Sequence, residues 1–462
     1  MGLNVDQNNL AFLLPELPRT QLEEIVLQQL ALIENLQTQI SKLEKEVQYL
    51  KNKPPTSTAP FGCAPEKLKK NPKPRGQKEG HEGFFRQPPK VTETIDVPLE
   101  YCPDCLVEVE HLKYHTQIIE ELPLIIPQVI QITTQSGICP KCRKKVRSTH
   151  PWQSSKAMGA AGVSLGPRVK AVAIELQHRF HLTKSKSCAI LKEFFGINLS
   201  RGGLVHISHR AAARLQPKYH QLEREVQQSS HIHADERGWY VNRRGHQLCV
   251  FTNQAVTLYK IAERRTRELI KKVLGEHYQG VLITDCLAIY DEVNGLQQKC
   301  YAHHLRAIEE GLKKMPEGKS LYLEEIKLML QTAMSLKTVE RDLSRVQFRE
   351  RIKDLERWAE KLLKVENLSQ QLEPEEARVR QRLSKQADHL FEFLRHKAVE
   401  ATNNQAERQL RPAVIARKLS CGNRSEKGAR TWEVLASLAV TSKQRNESFK
   451  DLVKDSMFGF SP

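Results

Sequence analysis

The chain has 462 residues and carries 72 Lys+Arg against 54 Asp+Glu, a formal net charge of +18. That length provides for roughly two to four domains and at least one substantial core, and the basic excess points to a polyanionic partner, nucleic acid before an acidic membrane surface. No apolar run reaches the ~18 residues of a membrane-spanning helix, and the N-terminus lacks the pattern of a secretory signal. A cytoplasmic chain with no membrane association is expected, its ten cysteines serving as thiols and metal ligands rather than disulfides.

Residues 1–53 are expected to form a coiled-coil helix of leucine-zipper type. Val26, Ile33, Ile40 and Val47 recur at every seventh position, while Leu22, Leu36, Leu43 and Leu50 share a second heptad position that Gln29 interrupts. β-branched residues at a with leucine at d favour a parallel two-stranded coiled coil, so a homodimer or higher oligomer is expected. An amphipathic helix packed on its own domain is the competing reading, but sustained heptads that stop at Pro54-Pro55 favour the coiled coil. Residues 54–95 form a basic linker rich in Pro and Gly, with Lys67, Lys69, Lys70, Lys73, Arg75 and Lys78. It reads as solvated chain or as an arm that orders on phosphates.

Residues 96–152 contain Cys102-Pro-Asp-Cys105 and Cys139-Pro-Lys-Cys142. Two such knuckles can supply the thiolates of one structural, tetrahedral Zn²⁺, so Cys102, Cys105, Cys139 and Cys142 are its expected ligands. Redox chemistry competes, less well. The spacer exceeds the roughly 15–20 residues of the commonest pattern, and its apolar, β-rich stretch Ile118–Ile132 is expected to form a hairpin that brings the knuckles together. Lys141, Arg143, Lys144, Lys145 and Arg147 crowd the second knuckle, so this small β module is expected to touch DNA.

Residues 153–229 read as helical. One face carries Val169, Val172, Leu176 and Phe180, a second short helix runs from Ser187 to Phe195 and stops at Gly196, and a third starts near Ser200. The break resembles a helix-turn-helix, which can place a helix in the major groove, although most such units only pack.

The texture changes over 230–301. His231–Val241, His246–Asn253 and Ala255–Ala262 read as an antiparallel meander, with Gly238 marking a bulge or a close approach. A helix over Arg264–Leu274, a buried strand over Gly280–Thr284, a short helix over Ala288–Val293 and a strand over Gln297–Tyr301 complete the order βββαβαβ. That order is the one of a ribonuclease-H-like α/β core. It places Asp235 on the first strand beside Asp285 at the end of the fourth, where ligands collect. Residues 302–400 read as an all-α insertion, with helical runs over Leu321–Leu336 and Val346–Leu363. Residues 401–462 return to the core: Asn403 and Asn404 are placed to cap a helix that carries Glu407, and Trp432–Val440 is a core helix. The fold class expected is a multidomain α+β chain.

Carboxylates in apolar company are costly unless something uses them. Asp235, Asp285 and Glu407 are therefore expected to converge and hold metal ions. Phosphodiester cleavage is served by two Mg²⁺ (or Mn²⁺) ions ~3.5–4 Å apart, and such ions take oxygen ligands. His303 and Arg306, after the last strand, could hold a phosphate or tune the site, and equally could lock the fold. Arg408, Arg411, Arg417 and Lys418, continued by Arg424, Lys427 and Arg430, form a basic run expected to contact phosphates, with Gly422 and Gly428 suggesting a loop.

Taken in order, several of these segments resemble the transposases of the insertion sequence 66 family, within the DDE transposase and integrase group. They are the heptad helix, Gly76-Gln77…Gly80-His81…Gly83, the paired knuckles, His233-Ala234-Asp235-Glu236, Asp285…Tyr290, Cys300-Tyr301-Ala302-His303…Arg306, and Asn403-Asn404-x-x-Glu407-Arg408-x-x-Arg411-Pro412…Arg417-Lys418. The resemblance covers nearly the whole chain, and the ordered set is more specific than any single motif. It implies that Asp235, Asp285 and Glu407 are the DDE triad, with an α-helical insertion before the last. It implies cleavage at the ends of a mobile element and joining of the 3′-hydroxyl to target DNA. The partners would then be double-stranded DNA at the terminal inverted repeats and the target, with element-encoded accessory proteins as further candidates. The family usually has Thr where Arg237 stands, which puts a cation beside the metal site, and His304 and Leu305 also depart from its pattern. A catalytically silent DNA-binding derivative and a ribonuclease-H-like nuclease without strand transfer are the alternatives.

Overall fold

The computed structural model describes residues 89–123, 125–153 and 164–457, except 265, 292, 294, 316–317 and 365–371, together with scattered positions between 29 and 44. The chain divides into two compact units, Met1–Glu121 and Leu122–Pro462.

In the first unit, Ile33, Leu36 and Ile40 are helical and exposed; most of the heptad stretch, and the basic linker up to 88, lie outside the described residues. The first knuckle is a tight turn. The Cys102 amide donates to Val107 O and the Leu106 amide to Cys102 O, each at 2.9 Å, and Leu106 takes the left-handed φ of 57°.

The second unit opens on the same turn. The Cys139 amide donates to Lys144 O and the Arg143 amide to Cys139 O, again at 2.9 Å, and Arg143 has φ 57°. Here the turn closes a short antiparallel ribbon of β1 (Ser136–Ile138) and β2 (Lys145–Arg147). The hairpin expected over Ile118–Ile132 is not formed: the described residues there are in no strand. Pro123 and Pro127 supply the reason, since each removes a ladder donor.

Three helices follow: α1 (Pro167–His178), α2 (Lys184–Phe195) and α3 (Arg201–Gln227). Gly196 ends α2 with φ 64°, and the Ser200 hydroxyl accepts from the Gly203 amide at the start of α3. α3 is a core helix. Its Leu215, Tyr219, Leu222 and Val226 are buried with Ile232, Ala234, Phe251 and Leu258 of the sheet.

That sheet has the order β5-β4-β3-β6-β7, from β3 (His231–Val241), β4 (Arg244–Thr252), β5 (Thr257–Ala262), β6 (Val281–Thr284) and β7 (Gln297–Lys299). Asn242 and Arg243, at φ 48° and 63°, make the two-residue turn that matches strand twist between β3 and β4. Asn253 turns the chain into β5 by accepting the Ala255 and Val256 amides on its side chain. β3, β4 and β5 pair antiparallel, and β6 runs parallel to β3 and β7. Pairing runs through Gly238↔Gln247 without a bulge; the close approach there is made by Arg417, whose guanidinium donates to Gly238 O. α4 (Arg267–Leu274) joins β5 to β6.

After β7 come α5 (Tyr301–Leu312), α6 (Leu321–Thr338), α7 (Arg345–Leu363), α8 (Pro374–Ser384) and the single turn α9 (Glu392–Arg395). They bury Ile308, Leu323, Met329, Leu330, Leu355 and Phe393 together with Val281 and Ile283 of β6. The Tyr301 amide donates to Ala401 O at 2.9 Å, so this helical segment leaves and re-enters the sheet at one point. α10 (Asn404–Ser420) and α11 (Glu426–Gln444) then cover the second face of the sheet, where Trp239, Leu248, Val250 and Tyr259 meet Ala406, Leu410 and Ala436. α12 (Phe449–Met457) closes the unit against α1. Gly422, φ 87°, is in the loop before α11, whereas Gly428 lies inside that helix, its amide donating to the Ser425 cap. Among the described residues no helix is long and apolar enough to cross a membrane.

Candidate active site at the ends of the central strands

Two of the expected carboxylates meet through main-chain pairing alone. His233 of β3 is level with Ile283 of β6, so two residues further along each parallel strand lie Asp235 and Asp285. Asp235 is 3% exposed. Its Oδ1 accepts the Glu236 amide at 2.7 Å and Arg237 Nη1 at 3.3 Å. Burial pushes its carboxyl up to about 7, helped by the charges of Glu236 and Asp285 and opposed by Arg237 and the amide. Asp285 is half-buried, its Oδ1 taking the Leu287 amide at 3.1 Å where the chain turns off β6.

A third acid joins them that sequence reading did not single out as a ligand. One carboxylate oxygen each of Asp235, Glu236 and Asp285 lie within 4.8 Å of one another. Alternation along β3 sends Glu236 to the opposite face from Asp235, and there the Tyr290 hydroxyl donates to Glu236 Oε2 at 2.6 Å. Three clustered carboxylates could hold a hard cation, which takes oxygen donors.

Glu407 is outside that group. It is half-buried in the first turn of α10, and its helix is held by Asn403. This residue makes no side-chain cap. Instead Asn403 Nδ2 donates to Ala234 O at 2.8 Å, Oδ1 lies 3.2 Å from His233 Nδ1, and the backbone amide donates to Cys300 Sγ at 3.2 Å. One 1%-exposed residue thus ties the Glu407 helix to the strand of Asp235 through its side chain and to the end of β7 through its amide. His303, on α5, feels the charges of both Asp285 and Glu407; burial still outweighs them and lowers its pKa, and its Nδ1 is buried without a partner.

The expected phosphate contacts divide. Arg306, Arg408, Arg411 and Lys418 are exposed. Arg417 is committed to Gly238 O, and Arg430 to Glu433 at 2.7 Å and the Tyr219 ring at 4.9 Å, which removes Arg430 from the basic run. In the knuckles, the amides of Cys105 and Asp104 hold the Cys102 thiol below its ordinary pKa, and those of Cys142 and Lys141 do the same for Cys139. Amides aimed at sulfur favour the thiolate, the form that binds metal.

The model of the Transposase IS66 family matches residues 162–431. The chain belongs to that family. No curated protein matches it.

Proposed function

We propose that the protein is a DNA transposase that cleaves the ends of its element and joins the freed 3′-hydroxyl to target DNA. The observation that carries this reading is the meeting of Asp235 and Asp285 at the ends of adjacent parallel strands, in a sheet whose order is that of ribonuclease-H-like cores. The residues that would hold divalent cations are Asp235, Asp285 and Glu407, with Glu236 as a further oxygen donor. Two bound Mg²⁺ or Mn²⁺ ions would activate the attacking oxygen and stabilise the leaving oxygen of an in-line displacement. The chain's own part is to orient. The Leu287 amide and the Glu236 amide fix Asp285 and Asp235, Tyr290 fixes Glu236, and Asn403 fixes the Glu407 helix. Arg306, Arg408, Arg411 and Lys418 would take DNA phosphates, with His303 nearer the acids and Arg417 bracing β3.

Cys102, Cys105, Cys139 and Cys142 are the proposed Zn²⁺ ligands, each pair supported by its own amide-lined turn; zinc analysis of the purified chain, with loss in Cys139→Ser, tests this. The exposed Ile33, Leu36 and Ile40 support a coiled-coil seam between protomers. A DNA substrate supports a cytoplasmic location in a bacterium.

The test is a Mg²⁺-dependent cleavage and strand-transfer assay on the inverted repeats that flank the gene. Activity unchanged in Asp285→Ala would sink the metal site. The Arg237–Asp235 pair at 3.3 Å favours a second reading, a silent DNA-binding derivative, which binding without any cleavage would support. Cleavage without joining would favour a nuclease.

A further inference from the structure

The helical segment between β7 and α10 places one arginine near Cys286 and His303, the neighbours of the acidic cluster. Arg382 sits in the last turn of α8, which packs against α5, the helix of His303. Its guanidinium opposes the rise that burial gives the thiol of Cys286, the residue that follows Asp285. Its charge is felt by His303 and by the buried His304. Its Nε is buried and has no partner, and among the described residues no carboxylate pairs with it. A cation at a helix C-terminus gains from the dipole while staying in water; nothing in that role calls for shielding its Nε without a partner. Arg382 keeps part of its surface in water, where a ligand can reach it, and a planar fork of donors with no carboxylate is suited to a phosphate. His303 lies within reach of Asp285 on one side of this arrangement and of Arg382 on the other.

We propose that Arg382 binds a DNA backbone phosphate next to the scissile bond, so that the helical insertion supplies a positioning cation to the acidic cluster. This rests on the transposase reading for the identity of the ligand. It also gives the insertion a chemical task beyond packing on β6.

The test is binding by the full chain to a duplex carrying the inverted repeat that flanks the gene, with single neutral methylphosphonates stepped through the phosphates around the cleavage position. Arg382→Gln should weaken binding to the unmodified duplex about tenfold and reduce the slope of log K against log salt by about 0.9, while Arg382→Lys keeps most of the affinity. One methylphosphonate should cost the wild-type chain the same factor and cost Arg382→Gln nothing. Losses that add at every position overturn the proposal, as does a wild-type chain indifferent to every substitution near the cleavage position, an outcome that does not depend on any variant folding. Because binding is the readout, absence of cleavage by the wild-type chain sinks the catalytic reading without touching this one. Active cleavage with additive losses sinks this one alone, and a chain that does not bind the duplex overturns both.

Discussion

Asp235 and Asp285 are held by the main chain, Glu407 by a side chain. The first two are level because β3 and β6 pair in parallel, and shifting either means breaking a sheet buried on both faces. The third stands on a helix that returns after residues 302–400 and is pinned by Asn403 to Ala234, His233 and Cys300. On the proposed function, one reaction would draw on a rigid pair and an adjustable third. Sheet pairing fixes a distance at the cost of many bonds, whereas one amide side chain can be tuned by a single substitution.

The largest effect expected is on the rigid pair. Asp285→Asn should lower cleavage by on the order of 10³-fold or more, since the metal contribution lost is several kcal/mol, with DNA binding retained; equal activity in the variant would refute the pair's role. Next comes the clamp. Asn403→Ala should raise the Mg²⁺ concentration for half-maximal rate and cut turnover about 10- to 100-fold, the range for groups that orient metal ligands. A melting temperature that falls while the Mg²⁺ requirement stays fixed would make Asn403 merely structural. The smallest effect is at Arg237, whose half-exposed side chain shares Asp235 Oδ1 with any incoming cation. Arg237→Thr should tighten Mg²⁺ binding up to about fivefold, the range of a solvent-screened pair. The measurement belongs at pH 8, above the value near 7 to which burial lifts Asp235. Weaker Mg²⁺ binding in the variant would show that the arginine helps the site.

What was legible in the sequence was local. Asp285 ends an apolar run, and the β3–β4–β5 meander follows from short turns at Asn242-Arg243 and Asn253, so strand order and the Asp235–Asp285 meeting were within reach of pattern alone. Glu236 was not. Strand alternation argues against neighbours sharing a site, and only the end of β6 beside them makes it so. Asn403 read as a helix cap because caps are local; its real partners lie on strands far away in sequence. Arg382 is one basic residue among many on its helix, and what marks it, an Nε shielded without a partner, shows only once α8 packs on α5. The Ile118–Ile132 hairpin failed for the converse reason: β-branched residues advertised strands, and Pro123 and Pro127 denied the ladder its donors.

The hydrogen bond from Tyr301 to Ala401 O makes the helical segment an inset with a single doorway. Chain length inside that doorway can change without altering where Asn403 begins, because both ends are already joined. The inset is nonetheless no passenger. Val281 and Ile283 lean into it from the strand that leads to Asp285, so whatever occupies the doorway must also furnish an apolar wall for that strand. The helices between these two residues can then lengthen, shorten or be exchanged, provided the replacement keeps that wall and, on the proposal above, the cation of Arg382.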